Sequence, residues 1–228
     1  MITGIIGAMR VEVDALKAKM ENAVCERVGG IEMVRGRLSG KEVVVAQCGI
    51  GKVFAAMCAQ TMILRYGVGR IINTGIAGSL SGELGILDMV VANGVVQHDM
   101  DTSPIGDPVG LISGINLVKI ASDGALGDEL FLVAQKMGLF CRRGVIASGD
   151  QFINDADKKA WIAKTFDAVA CEMEGAAIGQ VCYVNGVDFA IVRSISDNAS
   201  GEAEMEYPEM AARAAVQSEE LLLAFLAE

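Results

Sequence analysis

Short apolar runs of strand length alternate along this chain with longer segments of helical period. After an apolar run at residues 2–7, for example, Met9, Val13 and Leu16 recur at helical spacing between charged residues. This alternation predicts an α/β fold with a largely parallel sheet. Strands are predicted at residues 2–7, 32–38, 42–48, 70–73, 89–97, 143–147 and 188–195, and helices at 9–20, 52–66, 127–137, 155–164, 172–184 and 209–226.

One long polar stretch interrupts the pattern, but no linker does. Residues 98–114 contain proline and glycine and follow neither period. Because no Pro-, Gly- or Ser-rich segment divides the 228 residues, we expect a single domain over residues 1–228.

Composition excludes several classes of protein. Hydrophobic residues make up 52% of the chain and charged residues 21%, which excludes intrinsic disorder. A net charge of −10 disfavours a nucleic-acid partner. No apolar run approaches the roughly 18 residues that span a bilayer, and the first run lacks the basic segment of a secretory signal. We therefore expect a cytoplasmic protein with no membrane contact, in which the six cysteines are reduced.

Two glycine-rich turns invite a nucleotide-binding interpretation. The turn at Gly49 and Gly51 follows a strand and opens a helix, but Phe54 stands where a dinucleotide-binding fingerprint needs its third glycine. Such a turn either places backbone N–H groups beside a polar ligand or simply connects packed elements. A second turn, predicted at residues 74–78, follows the strand at 70–73, where open α/β sheets place their ligands.

Three acidic residues fall at apolar positions and are the strongest candidates for chemistry. Glu12, Glu174 and Asp197 each follow or interrupt an apolar segment, where burying a charge is costly unless it is paired or functional. Arg193 lies in the same predicted strand as Asp197, on the same face by alternation, and is the natural counter-ion. A purely structural ion-pair network stays open as the alternative.

Other chemistries find little support in the residues. His98 is the single histidine, and the segment His98-Asp99-Met100-Asp101 lacks the further ligands of a calcium loop, so no metal site is predicted. No GxSxG turn is present to expose a nucleophilic serine.

Six motifs, in order along nearly the whole chain, resemble those of one enzyme family. They are Gly4-Ile5-Ile6-Gly7-Ala8-Met9 with Glu12, Gly49-Ile50-Gly51-Lys52-Val53, Asn73-Thr74-Gly75 with Ala77-Gly78, Ser148-Gly149-Asp150 with Phe152-Ile153, Glu172-Met173-Glu174, and Val192-Arg193 with Ile195-Ser196-Asp197. The chain thereby resembles the bacterial 5′-methylthioadenosine/S-adenosylhomocysteine nucleosidases of the nucleoside phosphorylase/nucleosidase superfamily.

The resemblance implies a fold and an activity. It implies a single three-layer α/β/α domain around a mixed, largely parallel sheet, assembled as a homodimer. The implied reaction is hydrolysis of an adenine N-glycosidic bond in a small nucleoside, with neither a metal nor an organic cofactor.

The resemblance also implies roles for the charged residues. Asp197, helped by polar groups near Ser196, is expected to protonate N7 of adenine, so it must hold a proton near neutral pH. Glu12 is expected to activate the water, and Glu174 to bind the ribose hydroxyls and stabilise the positive sugar. Arg193 is expected to position one or both glutamates.

The remaining predicted contacts surround the base, the ribose and the alkylthio tail. Phe152 is expected to stack on adenine and the backbone of Ile153 to bind it. The other lining positions are Ala77, Gly78 and Met173 around base and ribose, and Met9, Ile50 and Tyr207 around the tail. The acidic stretch at residues 201–209 is expected to close over bound substrate.

Two departures from the family pattern keep alternatives open. Ile76 replaces a serine that is common in the family, and Arg10 replaces a usual acid. An arginine at position 10 raises the possibility that phosphate is the nucleophile. Asn73, at a position where many phosphorylases carry arginine, argues against phosphate. The alternatives are a purine nucleoside phosphorylase, a hydrolase of a related nucleoside such as aminodeoxyfutalosine, and an inactive nucleoside-binding protein. The polar stretch at residues 98–114 also differs from the family's, which bears on tail preference and partner contacts.

Overall fold

The computed structural model describes residues 1–197 and 207–228, with side chains for 1–197 and 209–228. Its helices are α1 (Asp14–Ala18), α2 (Lys52–Tyr66), α3 (Gly124–Lys136), α4 (Ala156–Phe166), α5 (Gly175–Asn185) and α6 (Tyr207–Ala227). Its strands are β1 (Thr3–Gly7), β2 (Glu21–Val28), β3 (Ile31–Leu38), β4 (Lys41–Gln47), β5 (Arg70–Ser79), β6 (Met89–Gln97), β7 (Lys119–Ala121), β8 (Cys141–Ser148), β9 (Ala168–Glu172) and β10 (Asp188–Asp197).

These strands form one mixed sheet in the described part of the chain. Its order is β10-β6-β8-β9-β5-β1-β4-β3-β2, with β7 beside β6. Strand β10 also runs parallel to β5, so β5, β10, β6, β8 and β9 close into a ring. On the other edge of β5, β1 pairs with its first half and β9 with Gly78 and Ser79. The second half of β5 therefore lies where several chain segments meet.

Helices cover both faces of the sheet, which confirms the predicted three-layer α/β/α class. On one face, α2 and α5 pack through residues such as Met62 and Ile178. On the other face, α1, α3 and α6 pack through residues such as Leu16, Leu130 and Phe225. Ile5 and Ile6 are neighbours on β1 and pack on opposite faces of the sheet, Ile6 with α2 and α5 and Ile5 with α1, α3 and α6. One strand therefore contributes to the apolar core on both faces.

Local sequence signals account for several helix ends. The side chains of Asp123 and Asp155 cap α3 and α4 by accepting hydrogen bonds from Leu126 N and Lys158 N, both at 2.7 Å. Helix α2 ends at Gly67, which adopts the left-handed conformation with φ 62°. No helix among the described residues has the length and apolar character needed to cross a membrane.

Two sequence-based assignments were wrong. The helix predicted at residues 9–20 is a 3-10 turn at Arg10–Glu12 followed by the short α1, and β2 begins at Glu21. The turn forms because Glu12 folds back to bind the backbone N–H groups of Ala8 and Met9. The predicted loop at residues 74–78 is strand, because β5 continues to Ser79 by pairing with β10.

Candidate active site

A cavity lies where β5, β9 and β10 end and where the turns after β1 and β4 approach them. It is lined by Ala8, Met9, Glu12, Ile50, Ile76, Ala77, Gly78, Phe152, Cys171, Glu172, Met173, Glu174, Ser196 and Asp197. The three acidic residues singled out from the sequence thus share one cavity, although they are far apart along the chain. Most of the remaining lining is apolar, as expected for a small-molecule site with a few oriented polar groups.

Glu12 is buried and held by backbone donors. Its Oε2 accepts hydrogen bonds from Ala8 N at 2.7 Å and Met9 N at 2.9 Å, and its Oε1 accepts from Ile76 N at 3.3 Å. Burial raises the pKa of Glu12 above the ordinary value, although these donors and the charge of Arg193 act in the opposite direction. A carboxylate with a raised pKa and a fixed direction is suited to accept a proton.

The glycine at position 75 is required by this arrangement. A Cβ built there would lie 2.6 Å from Oε1 of Glu12, well inside contact distance. The family-like motif Asn73-Thr74-Gly75 therefore has a steric reason: it leaves room for a buried carboxylate.

Glu174 precedes α5 and faces the same cavity. Its Oε1 accepts a hydrogen bond from Gly51 N at 2.8 Å, so the glycine turn before α2 holds a carboxylate of the chain itself. Burial and the nearby charge of Glu172 raise the pKa of Glu174 to about 7. Near neutral pH its charge is easily changed, and a positive ligand in the cavity would draw it to the ionised form.

Asp197 reaches the cavity through an irregularity in β10. The pairing shifts between Ile195, opposite Ala77, and Asp197, opposite Gly78. This bulge interrupts the strict alternation from which the sequence placed Arg193 and Asp197 on one face. A Cβ at Gly78 would lie 3.1 Å from Oδ2 of Asp197, so the acid packs closely against this glycine.

Two side chains bind the carboxylate of Asp197. Ser196 Oγ donates to Oδ1 at 3.1 Å, and Lys159 Nζ donates to Oδ2 at 3.2 Å. An ammonium group stabilises the ionised form of a neighbouring carboxylate. The acid that the resemblance implies is thus one member of a largely buried ion pair.

Arg193 does not bind Glu12 or Glu174 directly, although the resemblance implies that it positions one or both of them. Its buried guanidinium bonds instead to Glu172 and to the side chain of Asn73. Glu172 in turn accepts hydrogen bonds from Ser148 and from the backbone of Glu174 and Gly175. Arg193 therefore acts on the site indirectly, by fixing the chain that carries Glu174.

The structure brings together most, but not all, of the predicted site residues. Met9, Ile50, Ala77, Gly78, Phe152, Met173 and Ser196 line the cavity with the three acids. Ile153 is buried in the apolar cluster that contains Ile162, and Arg193 lies beneath the cavity rather than in its lining. The side chain of Tyr207 and the stretch at residues 201–206 lie outside the described residues.

Four lining or supporting residues were missed from the sequence: Ala8, Cys171, Glu172 and Lys159. Glu172 belongs to a quoted motif, but nothing in its spacing distinguishes it from Glu174. Lys159 did carry a signal, because it falls on the apolar face of α4 with Ile162 and Phe166. A lysine at such a position calls for a buried partner.

Comparison with known proteins gives concordant matches over the full chain. The family model described as "Phosphorylase superfamily" matches residues 2–227. The 5′-methylthioadenosine/S-adenosylhomocysteine nucleosidase of Shewanella halifaxensis is 38% identical over 227 residues, which cover 99% of each chain.

Solved structures of similar fold include two kinds of hydrolase. The futalosine hydrolase of Helicobacter pylori superposes with a TM-score of 0.94 at 36% identity, covering 99% of this chain and 97% of that one. The 5′-methylthioadenosine/S-adenosylhomocysteine nucleosidase of Neisseria meningitidis, in complex with methylthio-immucillin-A, superposes with a TM-score of 0.94 at 34% identity, covering 99% and 98%.

Proposed function

This chain belongs to the phosphorylase superfamily, and we propose that it is an N-glycosyl hydrolase of 5′-methylthioadenosine and S-adenosylhomocysteine. The reaction releases adenine and the 5-thio-ribose product. One observation carries the proposal: Glu12, Glu174 and Asp197 line a single cavity whose other lining residues are mostly apolar. The identities of 37–38% to nucleosidases over the whole chain support the same activity.

Asp197 is the acid of the proposed reaction. The bond between ribose and adenine breaks most easily when the leaving base takes up a proton, here at N7. Asp197 lies in the lining beside Ser196 and opposite Gly78, with Phe152 at the same cavity for stacking on a purine. Proton transfer breaks the O–H bond of Asp197 and leaves a carboxylate next to Lys159.

The two glutamates serve the sugar and the water. Glu12, oriented by three backbone N–H groups, takes a proton from the attacking water. Glu174 accepts hydrogen bonds from the ribose hydroxyls, and its negative charge stabilises the oxocarbenium-like ribose. Met9, Ile50 and Met173 give the thioether tail and the ribose apolar contacts. Tyr207 is proposed to contribute a further contact to the tail.

Water, rather than phosphate, fits this site as nucleophile. Arg10 is mostly exposed and is paired with Asp14, outside the cavity lining. Asn73 is buried and donates to Ile6 O at 2.8 Å while it binds Arg193. Neither position offers the cation that a phosphorylase needs for its anionic co-substrate.

A second candidate substrate follows from the similarity to a futalosine hydrolase. That structure is as similar to this chain as the nucleosidases are. A hydrolase of a related adenine nucleoside, such as aminodeoxyfutalosine, would use the same acids and differ in the tail pocket. The retained acids disfavour the third possibility, an inactive nucleoside-binding protein.

Adenine release in phosphate-free buffer tests the proposal. We expect release from 5′-methylthioadenosine and S-adenosylhomocysteine at a rate that added phosphate does not increase, measured by chromatography of the free base. Release only with phosphate would instead make the chain a phosphorylase. Aminodeoxyfutalosine in the same assay separates the two hydrolases, and tight binding without release over hours would identify a binding protein.

We also propose that residues 1–228 act as one catalytic domain in a cytoplasmic homodimer with no resident cofactor. The six cysteines are free, which suits a reducing compartment. Helices α2 and α5 expose Val53, Met57 and Val184 on adjoining surfaces near the rim residue Ile50. Apolar exposure of this kind is typical of a subunit interface.

Light scattering tests the dimer. The chain is expected at twice the mass of one subunit, and Val53→Asp is expected to shift it toward the monomer because a charge would be buried in the interface. Val24→Asp on β2 is the matched control, since Val24 is exposed to a similar degree, 66% against 69%, on another surface. A monomeric parent chain, or dissociation by both variants, would contradict this assignment.

A further inference from the structure

Lys159 is a charged residue in a position that normally holds an apolar one. It lies one turn before Ile162 and two turns before Phe166 on the buried face of α4, and it is 3% exposed. Burying an ammonium group is costly unless a partner compensates for the lost water. The position of Lys159 therefore needs a reason.

One partner of Lys159 is the proposed acid of the reaction, Asp197. Lys159 Nζ lies 3.2 Å from Oδ2 of Asp197, and the two side chains are 3% and 15% exposed. Ser196 holds the other oxygen of Asp197. The ammonium thus approaches Asp197 from α4, while the carboxylate still lines the cavity.

The other titratable groups around this pair do not substitute for the lysine. On β9, Cys171 and Glu172 lie near the Lys159–Asp197 pair. Burial raises the pKa of the Cys171 thiol to about 12, so this thiol is neutral. Glu172 is bound to Arg193. Lys158, the preceding residue of α4, lies over the ring of Trp161 instead, 4.8 Å from its centre. Among the described residues, Lys159 is the cation in contact with Asp197.

We propose that Lys159 is a positioning residue that sets the acid strength of Asp197 during proton transfer to the leaving base. This inference rests on the proposed function. When Asp197 gives its proton to N7, the O–H bond breaks, the N–H bond forms and a carboxylate remains. Lys159 keeps all its protons and stabilises that carboxylate, so the transfer is easier than from an isolated acid.

The pH profile of kcat/KM tests this role. In Lys159→Met, the limb that reports Asp197 is expected to move to higher pH by about one to three units, because the ion pair is lost. The other limb is expected to stay in place. Lys159→Arg, which keeps the charge, is expected to retain the parent profile. Lys158→Met removes a charge from the same helix without touching Asp197, so its profile should coincide with that of the parent.

A merely structural role would give a different result. Loss of packing alone would lower the rate uniformly with pH, and a Lys159→Met profile parallel to that of the parent would overturn the proposal. A shift in Lys159→Arg equal to that in Lys159→Met would overturn it as well. Circular dichroism and thermal melting of each variant show which are folded.

A direct titration keeps the inference testable if Lys159→Met is folded but too slow to assay. The γ-carboxyl of Asp197, followed by NMR in chain labelled with 13C-aspartate and assigned with Asp197→Asn, should titrate at higher pH in Lys159→Met than in the parent. Equal titration in both chains refutes the inference. Failure of the proposed function has a separate signature, the absence of adenine release from the parent chain.

Discussion

Replacing Asp197 by asparagine is expected to lower kcat for adenine release by about 10²- to 10⁴-fold, the usual range for loss of a general acid. The amide has the size of the acid and fits beside Gly78, where a Cβ would already lie 3.1 Å from Oδ2. It has no acidic proton to give to N7, so the base would have to leave as an anion. The rate is measured by chromatography of free adenine at saturating nucleoside.

Nucleoside affinity separates the acid role of Asp197 from a binding role. Calorimetry with 5′-methylthioadenosine should give an affinity for Asp197→Asn close to that of the parent, because the apolar lining is unchanged. Turnover at the parent rate would remove Asp197 from the mechanism. Weakened binding with little change in kcat would make it a substrate-binding residue.

Glu12→Gln is expected to be comparably damaging, again by about 10²- to 10⁴-fold in kcat. A glutamine cannot accept the proton of the attacking water. Its amide group also cannot accept hydrogen bonds at both oxygen positions, which Ala8 N, Met9 N and Ile76 N now satisfy. The measurement is again adenine release at saturating substrate.

Glu32→Gln provides the matched control for neutralising Glu12. Glu32 lies on β3 and pairs with Lys17 at 2.9 Å with its side chain largely exposed, so its loss should leave kcat unchanged. If Glu12→Gln raised KM but left the maximal rate intact, Glu12 would bind substrate rather than activate water.

The acidic residues of the site could be predicted from the sequence, because a charged side chain in an apolar segment is costly to bury and therefore stands out. Glu12, Glu174 and Asp197 stand out because each interrupts an apolar segment, and the structure places all three in one cavity. The helices α2 and α4–α6 were predicted within a few residues because their periodicity is long enough to be specific.

The pairing of charges could not be predicted in the same way. The resemblance implies that Arg193 positions Glu12, Glu174 or both, but the side chain that Arg193 binds is Glu172, since the glutamates look alike in the sequence. The bulge at Ser196 was also missed, because pairing between β5 and β10 joins segments more than 100 residues apart. Such details depend on tertiary packing rather than on local pattern.

The extension of β5 is a third example. Small residues at Thr74 to Gly78 suggested a loop, yet the neighbours β10 and β9 supply the hydrogen bonds that make this segment a strand. The glycines are there for space rather than for turning: Gly75 and Gly78 leave room for Glu12 and Asp197.

The elevated pKa of Glu174 has a consequence for the thermodynamics of folding. A carboxyl that holds its proton more tightly in the folded chain stabilises that state most below the ordinary pKa of glutamate, and this contribution disappears as the pH rises through about 7. The ionised form of Glu174, which the proposed reaction uses, is therefore the form that contributes less to the stability of the fold. At this residue, the proposed activity and conformational stability favour opposite protonation states.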